Sequence, residues 1–281
     1  MGQQAHQAST KPRILVVAGS DSGGGAGIQA DIKTITMLGG FAMTAVTALT
    51  AQNTLGVEDV LFIEPRFVAL QMKVVLSDLG ADVIKTGMLG SAGVIEAVAG
   101  VCESSASGVP LIVDPVMVAK GGARLLDKGA HDALVLSLLP LASLVTPNVP
   151  EAEVLTGLSI TSPRDLGRAA DALLGLGPSA VLMKGGHLPG DTVVDLLRTA
   201  DGAEHRFEGP RILSRSTHGT GCTLASAIAA GIAEGLTLQG SVERARDFVV
   251  QAIRHAPGLG RGHGPLELAH ALLPPEPPRR R

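Results

Sequence analysis

Short aliphatic runs that alternate with helical patterns constrain the fold of this chain more than any other feature. The run Arg13–Ala18 predicts a fully buried strand, and the apolar spacing over residues 28–38 predicts a helix that ends at Gly39. Further strands are predicted at Phe41–Thr47, Val57–Ile63, Val83–Thr86, Leu111–Asp114, Leu144–Thr146 and Ala180–Lys184, with a hairpin across Thr192–Phe207. Buried strands that alternate with helices predict an α/β fold with a central, mostly parallel sheet and helices on both faces.

Composition supports one packed domain. The chain has 281 residues, of which 45% are apolar and 17% charged, so it can fill a sizeable core. Neither a repeat of fixed period nor a Pro/Ser-rich linker divides it. We therefore expect a single domain over residues 12–272, with disordered ends at residues 1–11 and 273–281.

Charge and residue usage argue against several classes of protein. The aromatic fraction is 2% and the net charge is −3, which disfavours a nucleic-acid partner that binds by base stacking. The longest apolar run, Leu134–Val145, is too short to span a membrane, and the N-terminus lacks the apolar run of a signal peptide. Two distant cysteines, Cys102 and Cys222, are typical of a reducing compartment. We expect a cytoplasmic protein with no membrane partner.

A glycine-rich loop, residues 19–27, joins the first predicted strand to the first helix. Such a loop lets backbone amides approach an anionic ligand. Gly25, Gly27 and Ala30 satisfy a relaxed dinucleotide fingerprint, but the match starts several residues after the strand and lacks the acidic ribose partner. The sequence also lacks the phosphate loop of P-loop ATPases. A ligand loop and a turn-rich connection both remain open for this segment.

A second loop, Ser216–Thr223, leads into an Ala-rich helix. The backbone amides of Gly219, Thr220 and Gly221 would form an anion hole along the helix dipole. Cys222 falls in the first turn, where the dipole is expected to lower the pKa of its thiol and favour proton acceptance. The alternatives are a small packed Cys222 and, as our expectation for His218, an ordinary surface loop residue.

Polar residues follow three of the predicted strands. Asp114, Glu151 and Lys184 stand at or just after strand ends, and Asn148 precedes Glu151. On adjacent parallel strands these termini would share one crevice. Carboxylates suit Mg²⁺ and a lysine suits phosphate, although each residue alone is also common in caps and turns. Together with an anion hole, the group predicts a phosphoryl-transfer site.

Seven ordered sequence blocks extend these observations across roughly residues 13–270. They closely resemble the hydroxymethylpyrimidine/phosphomethylpyrimidine kinase family of thiamine biosynthesis. The blocks are Ala18–Asp31, Thr47–Thr54, Lys85–Leu89, Asp114–Met117, Thr146–Ala152, Met183–His187 and Thr217–Thr223.

This resemblance implies a ribokinase-like α/β fold, ATP with Mg²⁺, and a homodimer. It implies two successive phosphorylations, first of 4-amino-5-hydroxymethyl-2-methylpyrimidine and then of its monophosphate. The resemblance implies that Cys222 is the base or positions the hydroxyl. Many ribokinase-like enzymes carry Asp at this position, whereas the pyrimidine-kinase branch carries Cys. The nucleotide contacts implied are Lys184, Thr217 and Arg246, with Arg246 replacing the Lys of some members, and the metal residues implied are Asp114 and Glu151.

The resemblance also makes Gln52 the residue that reads the pyrimidine. A carboxamide offers one donor and one acceptor, which complement an amino group and the adjacent ring nitrogen. The remaining pocket would be lined by Gly19, Asp31, Met88 and Val116.

Three other functions compete with this interpretation. A pyridoxal or pyridoxine kinase is the nearest, since it phosphorylates a hydroxymethyl group on a related ring. A non-catalytic pyrimidine sensor is the second, but every element of the predicted site is retained. A dinucleotide oxidoreductase is the third, and the misplaced glycines disfavour it.

Overall fold

A nine-stranded sheet forms the centre of the fold in the computed structural model, which describes residues 11–117 and 129–273. Of the ends expected to be disordered, 1–11 and 273–281, residues 1–10 and 274–281 lie outside the described ranges. The strands are β1 (Arg13–Asp21), β2 (Phe41–Gln52), β3 (Val57–Phe62), β4 (Val83–Thr86), β5 (Leu111–Val113), β6 (Leu144–Val145), β7 (Ala180–Met183), β8 (Thr192–Thr199) and β9 (Glu204–Pro210). Their order across the sheet is β3-β2-β1-β4-β5-β6-β7-β8-β9.

Six adjacent strands, from β2 to β7 across the sheet, run parallel. Strand β3 is antiparallel at one edge, and the hairpin β8–β9 is antiparallel at the other. The mostly parallel α/β fold predicted from the sequence is confirmed. Strand β2 extends beyond its predicted end, so Gln52 is its last residue rather than part of a connecting segment.

Helices cover both faces of the sheet, because successive residues of each buried strand point to opposite sides. The helices are α1 (Gly27–Met37), α2 (Pro65–Asp78), α3 (Ala92–Ser105), α4 (Ala130–Ala133), α5 (Val149–Thr156), α6 (Leu166–Leu174), α7 (Thr220–Ala233) and α8 (Leu238–Arg254). Leu15 and Val17 share a core cluster with residues of α2, α3 and α6 on one face, while Ile14 and Val16 share one with residues of α1, α7 and α8 on the other.

The segment of residues 130–141 is only partly α-helical. It begins as α4, continues as a π-helical turn at Leu134–Leu138 and ends in a 3-10 turn at Leu139–Leu141. Pro140 lies in that last turn, where it lacks the amide needed to continue the helix.

The carboxyl ends of the parallel strands meet along one edge of the sheet. Strand β2 lies on one side of β1, and strands β4 to β7 follow one another on its other side. The order of the parallel strands therefore reverses between β1 and β4. Ligands of such sheets bind outside the strand ends at this reversal. No helix in residues 11–117 and 129–273 has the length and apolar character needed to cross a bilayer.

Candidate active site

A cavity of about 590 Å³ opens at the carboxyl edge of the sheet. It is bounded by both glycine-rich loops and by the residues that follow β5, β6 and β7. Most predicted site residues line it: Gly19, Gln52, Met88, Asp114, Val116, Glu151, Lys184, Thr217, Gly219, Thr220, Gly221 and Cys222. Residues far apart in the chain therefore converge as the strand-end argument predicts.

Lys184 and Asp114 form an ion pair on the floor of the cavity. The Lys184 Nζ lies 2.8 Å from Asp114 Oδ1 and 4.0 Å from Glu151 Oε2. Thr146 donates a second hydrogen bond to Asp114 Oδ1 over 2.9 Å. Burial opposes ionisation of Asp114, but Lys184 and Lys85 outweigh it and lower its pKa. Asp114 is thus held as a carboxylate beside an ammonium.

Glu151 shares this corner through a capping box at the start of α5. Its carboxylate accepts from the Asn148 amide over 2.8 Å, and its own amide donates to Asn148 Oδ1 over 2.9 Å. Burial raises the pKa of Glu151, Lys184 opposes this and Asp114 reinforces it, so the pKa is about 7. A cation arriving between the two carboxylates would relieve that repulsion.

These two carboxylates are the groups available to a metal. The described residues contain no cluster of three or more acidic, His or Cys side chains suited to a metal ion. Mg²⁺ does not require one, since it often binds through one or two carboxylates together with water and substrate phosphates. Asp114 and Glu151 therefore fit a magnesium ion that arrives with its nucleotide.

The N-terminus of α7 also opens onto the cavity. Gly219 precedes the helix with a φ of +84°, and within the described chain no side chain caps it. A Cβ at Gly219 would lie 1.9 Å from the carbonyl oxygen of Gly25, so the absence of a side chain lets the two glycine loops touch. Uncapped amides at the positive end of a helix dipole form an anion site. The sequence predicted this feature from the Gly-Thr-Gly run.

Cys222 lines the cavity, but the predicted lowering of its thiol pKa is wrong. Burial raises this pKa to about 11, and Asp31 and Asp114 raise it further, although Lys85 and the Gly27 amide act in the opposite direction. Desolvation of the thiolate thus outweighs the nearby positive charge, and the sequence motif could not reveal that burial.

His218 lies in the cavity rather than on the surface, so its predicted role as a surface loop residue is wrong. Its Nε2 lies 2.9 Å from Asp21 Oδ2 and 3.2 Å from Gln52 Nε2. Thr50 donates to Gln52 Oε1 over 3.2 Å. Because a carboxylate only accepts, the Nε2 proton of His218 goes to Asp21, and His218 packs against the Gln52 amide without accepting a hydrogen bond from it. His218 and Asp21 enter the site as residues that sequence reasoning missed.

Asp21 also organises the first glycine loop. Its carboxylate accepts hydrogen bonds from the amides of Gly23, Gly25 and Ala26 over 2.8 to 3.1 Å. Burial raises its pKa, but His218 and the loop amides outweigh this and lower it. An Asp followed by several glycines was the available sequence signal for such a loop.

Asp31 does not line the cavity, contrary to the expected pocket contact. It is fully buried on α1, where its Oδ1 lies 2.9 Å from Lys85 Nζ and accepts from Ser226 over 2.6 Å. A carboxylate without solvent contact has to find its partners inside the protein, and Asp31 finds a lysine from β4.

Arg246 is likewise absent from the cavity lining, so the structure does not support direct contact with the nucleotide. Its Nε donates to Asp195 over 2.8 Å, and its guanidinium lies 5.7 Å from the centre of the Phe207 ring. Asp195 also accepts from the Gly185 amide over 2.8 Å. Arg246 thus supports the loop that follows Lys184 from behind.

Solved vitamin kinases share this fold. The pyridoxal kinase from Staphylococcus aureus in complex with AMP-PCP and pyridoxal matches with a TM-score of 0.85 and 33% identity, over 93% of this chain and 94% of that one. The phosphomethylpyrimidine kinase from Clostridium difficile matches with a TM-score of 0.77 and 38% identity, over 86% and 100% of the chains. The fold and the site define a kinase of the ribokinase-like class.

Sequence comparison gives the family within this class. The model described as phosphomethylpyrimidine kinase matches residues 21–267, and the chain belongs to this family. The hydroxymethylpyrimidine/phosphomethylpyrimidine kinase of Haemophilus influenzae is 46% identical over 92% of this chain and 96% of its own length. The thiamine biosynthesis bifunctional protein ThiED of Geobacter sulfurreducens is 54% identical over 90% of this chain, which spans 51% of that longer protein. As a member of this kinase family, the protein uses ATP.

Proposed function

We propose that this kinase phosphorylates the hydroxymethyl group of 4-amino-5-hydroxymethyl-2-methylpyrimidine and then phosphorylates the resulting monophosphate, in thiamine biosynthesis. The observation that carries the proposal is the convergence of the uncapped α7 N-terminus and the Lys184–Asp114 pair on one cavity. An anion site beside a lysine and two carboxylates suits phosphoryl transfer, which depends on positioning and charge stabilisation. The names of the family and its relatives support the pyrimidine as acceptor.

Gln52 reads the pyrimidine ring in this proposal. Its carboxamide is half-buried at the cavity wall, accepts from Thr50 and lies 3.2 Å from His218 Nε2. Met88 and Val116 form an apolar wall on which the ring packs, together with the backbone of Gly19. A fixed donor and acceptor beside an apolar wall distinguish an aminopyrimidine from rings without the same edge.

Transfer takes place at the N-terminus of α7. The amides of Gly219, Thr220 and Gly221 hold the charge of the phosphoryl group in transit, and Lys184 and Thr217 hold nucleotide phosphate. Cys222 places the acceptor hydroxyl in line. In its thiolate form it takes the hydroxyl proton as the new P–O bond forms and the bond between the γ-phosphorus and the bridging oxygen of ADP breaks. Because burial raises the thiol pKa to about 11, the protonated thiol only positions the hydroxyl, and the thiolate is needed to take its proton.

Magnesium is held by Asp114 and Glu151 in this proposal. Bound with ATP, Mg²⁺ would supply charge neutralisation for the phosphates. Lys184 keeps Asp114 ionised, and the raised pKa of Glu151 falls when a cation joins the corner. These two side chains therefore select the metal-bound nucleotide.

The first test is ADP formation from Mg-ATP with three acceptors offered in parallel: the hydroxymethylpyrimidine, its monophosphate and pyridoxal. We expect turnover of both pyrimidines and much less of pyridoxal. Preference for pyridoxal would overturn the substrate assignment. Binding of pyrimidine without any turnover would instead indicate a sensor.

Pyridoxal phosphorylation is a second candidate function, favoured by one observation. The S. aureus pyridoxal kinase complex resembles this chain over 93% of its length with a TM-score of 0.85. A Gln52→Met variant sharpens the choice, because a thioether cannot offer the paired donor and acceptor. We expect this variant to lose activity on the pyrimidine and to keep any activity on pyridoxal.

We also propose that residues 12–272 form one kinase domain that pairs with a second copy of the chain. The family match lies inside this range, and all nine described strands share one sheet. Strands β2 and β3 and helix α2, at the β3 edge of the sheet, expose several large apolar residues, as expected of an interface. These residues are Leu49, Leu61, Phe62, Phe67, Leu70 and Val74. Sedimentation of Leu61→Glu against the parent protein tests the dimer.

The two free cysteines support a cytoplasmic location.

A further inference from the structure

A fully buried lysine, Lys85, lies behind the cavity without any solvent contact. It is the second-last residue of β4, in register with Val16 of β1 and Ile112 of β5, and therefore stands in the middle of the sheet. A Cβ at Gly87 would come within 3.2 Å of the Lys85 Nζ, so the glycine leaves room for the ammonium. A buried charge in this position is costly, and an apolar residue would pack there at lower cost.

The partners of Lys85 connect it to the N-terminus of α7. Its Nζ lies 2.9 Å from Asp31 Oδ1 on α1, and Ser226 on α7 donates to the same oxygen over 2.6 Å. The other oxygen, Asp31 Oδ2, has no hydrogen-bond partner in residues 11–117 and 129–273. A carboxylate left half-satisfied is poorly explained as a device for stability alone.

Helical spacing places this ion pair one turn below Cys222. Cys222 and Ser226 are four residues apart on α7, and Gly27 and Asp31 are four apart on α1, so each pair shares a helix face. In the first turn the backbone amide of Gly27 acts to lower the pKa of the Cys222 thiol, and in the second turn Ser226 donates to Asp31 over 2.6 Å. Two helix N-termini therefore lie side by side, with Lys85 beneath them.

We infer that Lys85, fixed by Asp31 and Ser226, is a positioning residue whose charge favours the thiolate of Cys222 at the N-terminus of α7. The inference rests on the proposed function, because it concerns the thiol assigned to the acceptor hydroxyl. It explains what limits the rise of the thiol pKa in a water-poor site. The charged groups acting on the thiol from the surrounding elements are Lys85 from β4, Asp31 from α1, Asp114 after β5 and Lys184 after β7.

Alkylation of the thiol by iodoacetamide tests this inference without substrate or nucleotide. The chain has two cysteines, and Cys102 is buried while Cys222 is half-buried, so a Cys102→Ala background reports Cys222 alone. Rates are measured from about pH 7 to about pH 10, because only the thiolate reacts.

Lys85→Met is expected to slow the alkylation of Cys222 by about threefold. Losing one nearby positive charge raises a thiol pKa by about one unit, which lowers the thiolate fraction about tenfold. The higher nucleophilicity of a more basic thiolate recovers about threefold of that loss. Since this variant leaves Asp31 buried and unpaired, the double variant Lys85→Met/Asp31→Asn removes both charges and guards against misfolding. It is expected to slow alkylation by a smaller factor in the same direction.

The matched control is Arg13→Met/Asp82→Asn, an ion pair at the opposite end of β1 and β4. It is expected to leave the alkylation profile unchanged. Folded Lys85 variants that alkylate at the parent rate over the whole pH range would overturn the inference.

Kinase assays separate this inference from the proposed function. We expect Lys85→Met to lower kcat on the pyrimidine, to shift the ascending limb of its pH profile to higher pH and to leave the KM for ATP unchanged. If Lys85 variants shift alkylation while Cys222→Ala retains full turnover, Lys85 tunes the thiol but the role of Cys222 in transfer is wrong. If Cys222→Ala is inactive and Lys85 variants alkylate like the parent, the proposed function stands and the inference fails.

Discussion

The ion pairs at the two ends of the parallel strands differ in their exposure to water. At the amino end, Arg13 pairs with Asp82 over 2.6 Å while both side chains keep more than a third of their surface in water. At the carboxyl end, Lys184 and Asp114 are 14% and 2% exposed, and Lys85 and Asp31 are wholly enclosed. Charges in contact with water cost little to keep, whereas enclosed charges cost several kcal/mol each unless they are well paired.

This contrast separates stability from function within one molecule. We expect loss of the ion pair at the amino end to leave the geometry of the site unchanged. At the carboxyl end, by contrast, several charged side chains lie close together and are shielded from water. Such arrangements are typical of active sites, where perturbed pKa values cluster. Substitutions at the two ends should therefore differ in kind as well as in size.

The largest effect is expected from Lys184→Met, which should lower kcat about 10³-fold, because it removes a preorganised cation from the transfer site. It also leaves Asp114 buried without its ion-pair partner, which should lower the free energy of unfolding by about 3 kcal/mol. Single-turnover assays and urea titrations measure the two losses. A Lys184→Met protein with normal kcat would remove this lysine from catalysis.

Glu151 gives the next largest effect, in the pH dependence of stability. Its pKa is about 7 in the folded protein against an ordinary 4.5, so the folded state holds its proton over a wider range than the unfolded state. Stability is therefore highest below about pH 4.5 for this group and falls as pH rises towards about 7, by up to about 3 kcal/mol. Urea titrations across this window should show the fall in the parent and a flatter profile in Glu151→Gln. Parallel profiles for the two proteins would contradict the assignment.

Cys222→Ala should lower kcat about 10²-fold and leave the KM for the pyrimidine within about twofold, since the thiol acts on the reacting hydroxyl rather than on the ring. Steady-state kinetics with both pyrimidine acceptors measure this. Cys102→Ala is the control, because Cys102 is buried in the core among α3 residues, away from the cavity. Equal kcat values for the two variants would reject the role of Cys222.

Gln52→Ala should raise the KM for the pyrimidine about tenfold with a smaller change in kcat, because it removes a paired donor and acceptor. His218→Ala is expected to act in the same direction but more weakly, since His218 packs against Gln52 and does not itself read the ring. Pyrimidine titrations at saturating ATP distinguish them. An unaltered KM in Gln52→Ala would place the ring elsewhere in the cavity.

The smallest effect is expected at the amino end. Arg13→Met/Asp82→Asn should cost at most about 1 kcal/mol of stability, because the pair is exposed to solvent. Its kcat and KM should match the parent. A loss of activity here would show that the two ends are coupled and would undo the contrast drawn above.

Much of the fold was predictable because it depends on local patterns. The aliphatic runs of β1, β4 and β7 lie close to their predicted bounds, since buried parallel strands are nearly continuous in apolar residues. The π-helical turn at Leu134–Leu138 was not predictable, because its apolar spacing resembles that of an ordinary helix.

The candidate site was predictable where it depends on strand ends and glycine loops, and not where it depends on contacts across the chain. Asp114 and Lys184 were found because each directly follows a strand. The position of Asp31 beneath the cavity depends on Lys85, which is 54 residues away, and that of His218 depends on Asp21, which is 197 away. The pKa of Cys222 depends on burial, which no local pattern encodes.

The contact between Gly219 and Gly25 has a consequence for the newly made chain. The apolar wall of Met88 and Val116 and the first glycine loop belong to the early part of the chain. Helix α7, in contrast, follows the hairpin β8–β9 at the edge of the sheet and packs beside α1 against the middle strands. Folding that follows synthesis from the N-terminus would complete the acceptor pocket before the anion site exists. A nascent chain emerging from the ribosome would thus remain unable to transfer phosphate until residues beyond 219 had been made and had docked against Gly25.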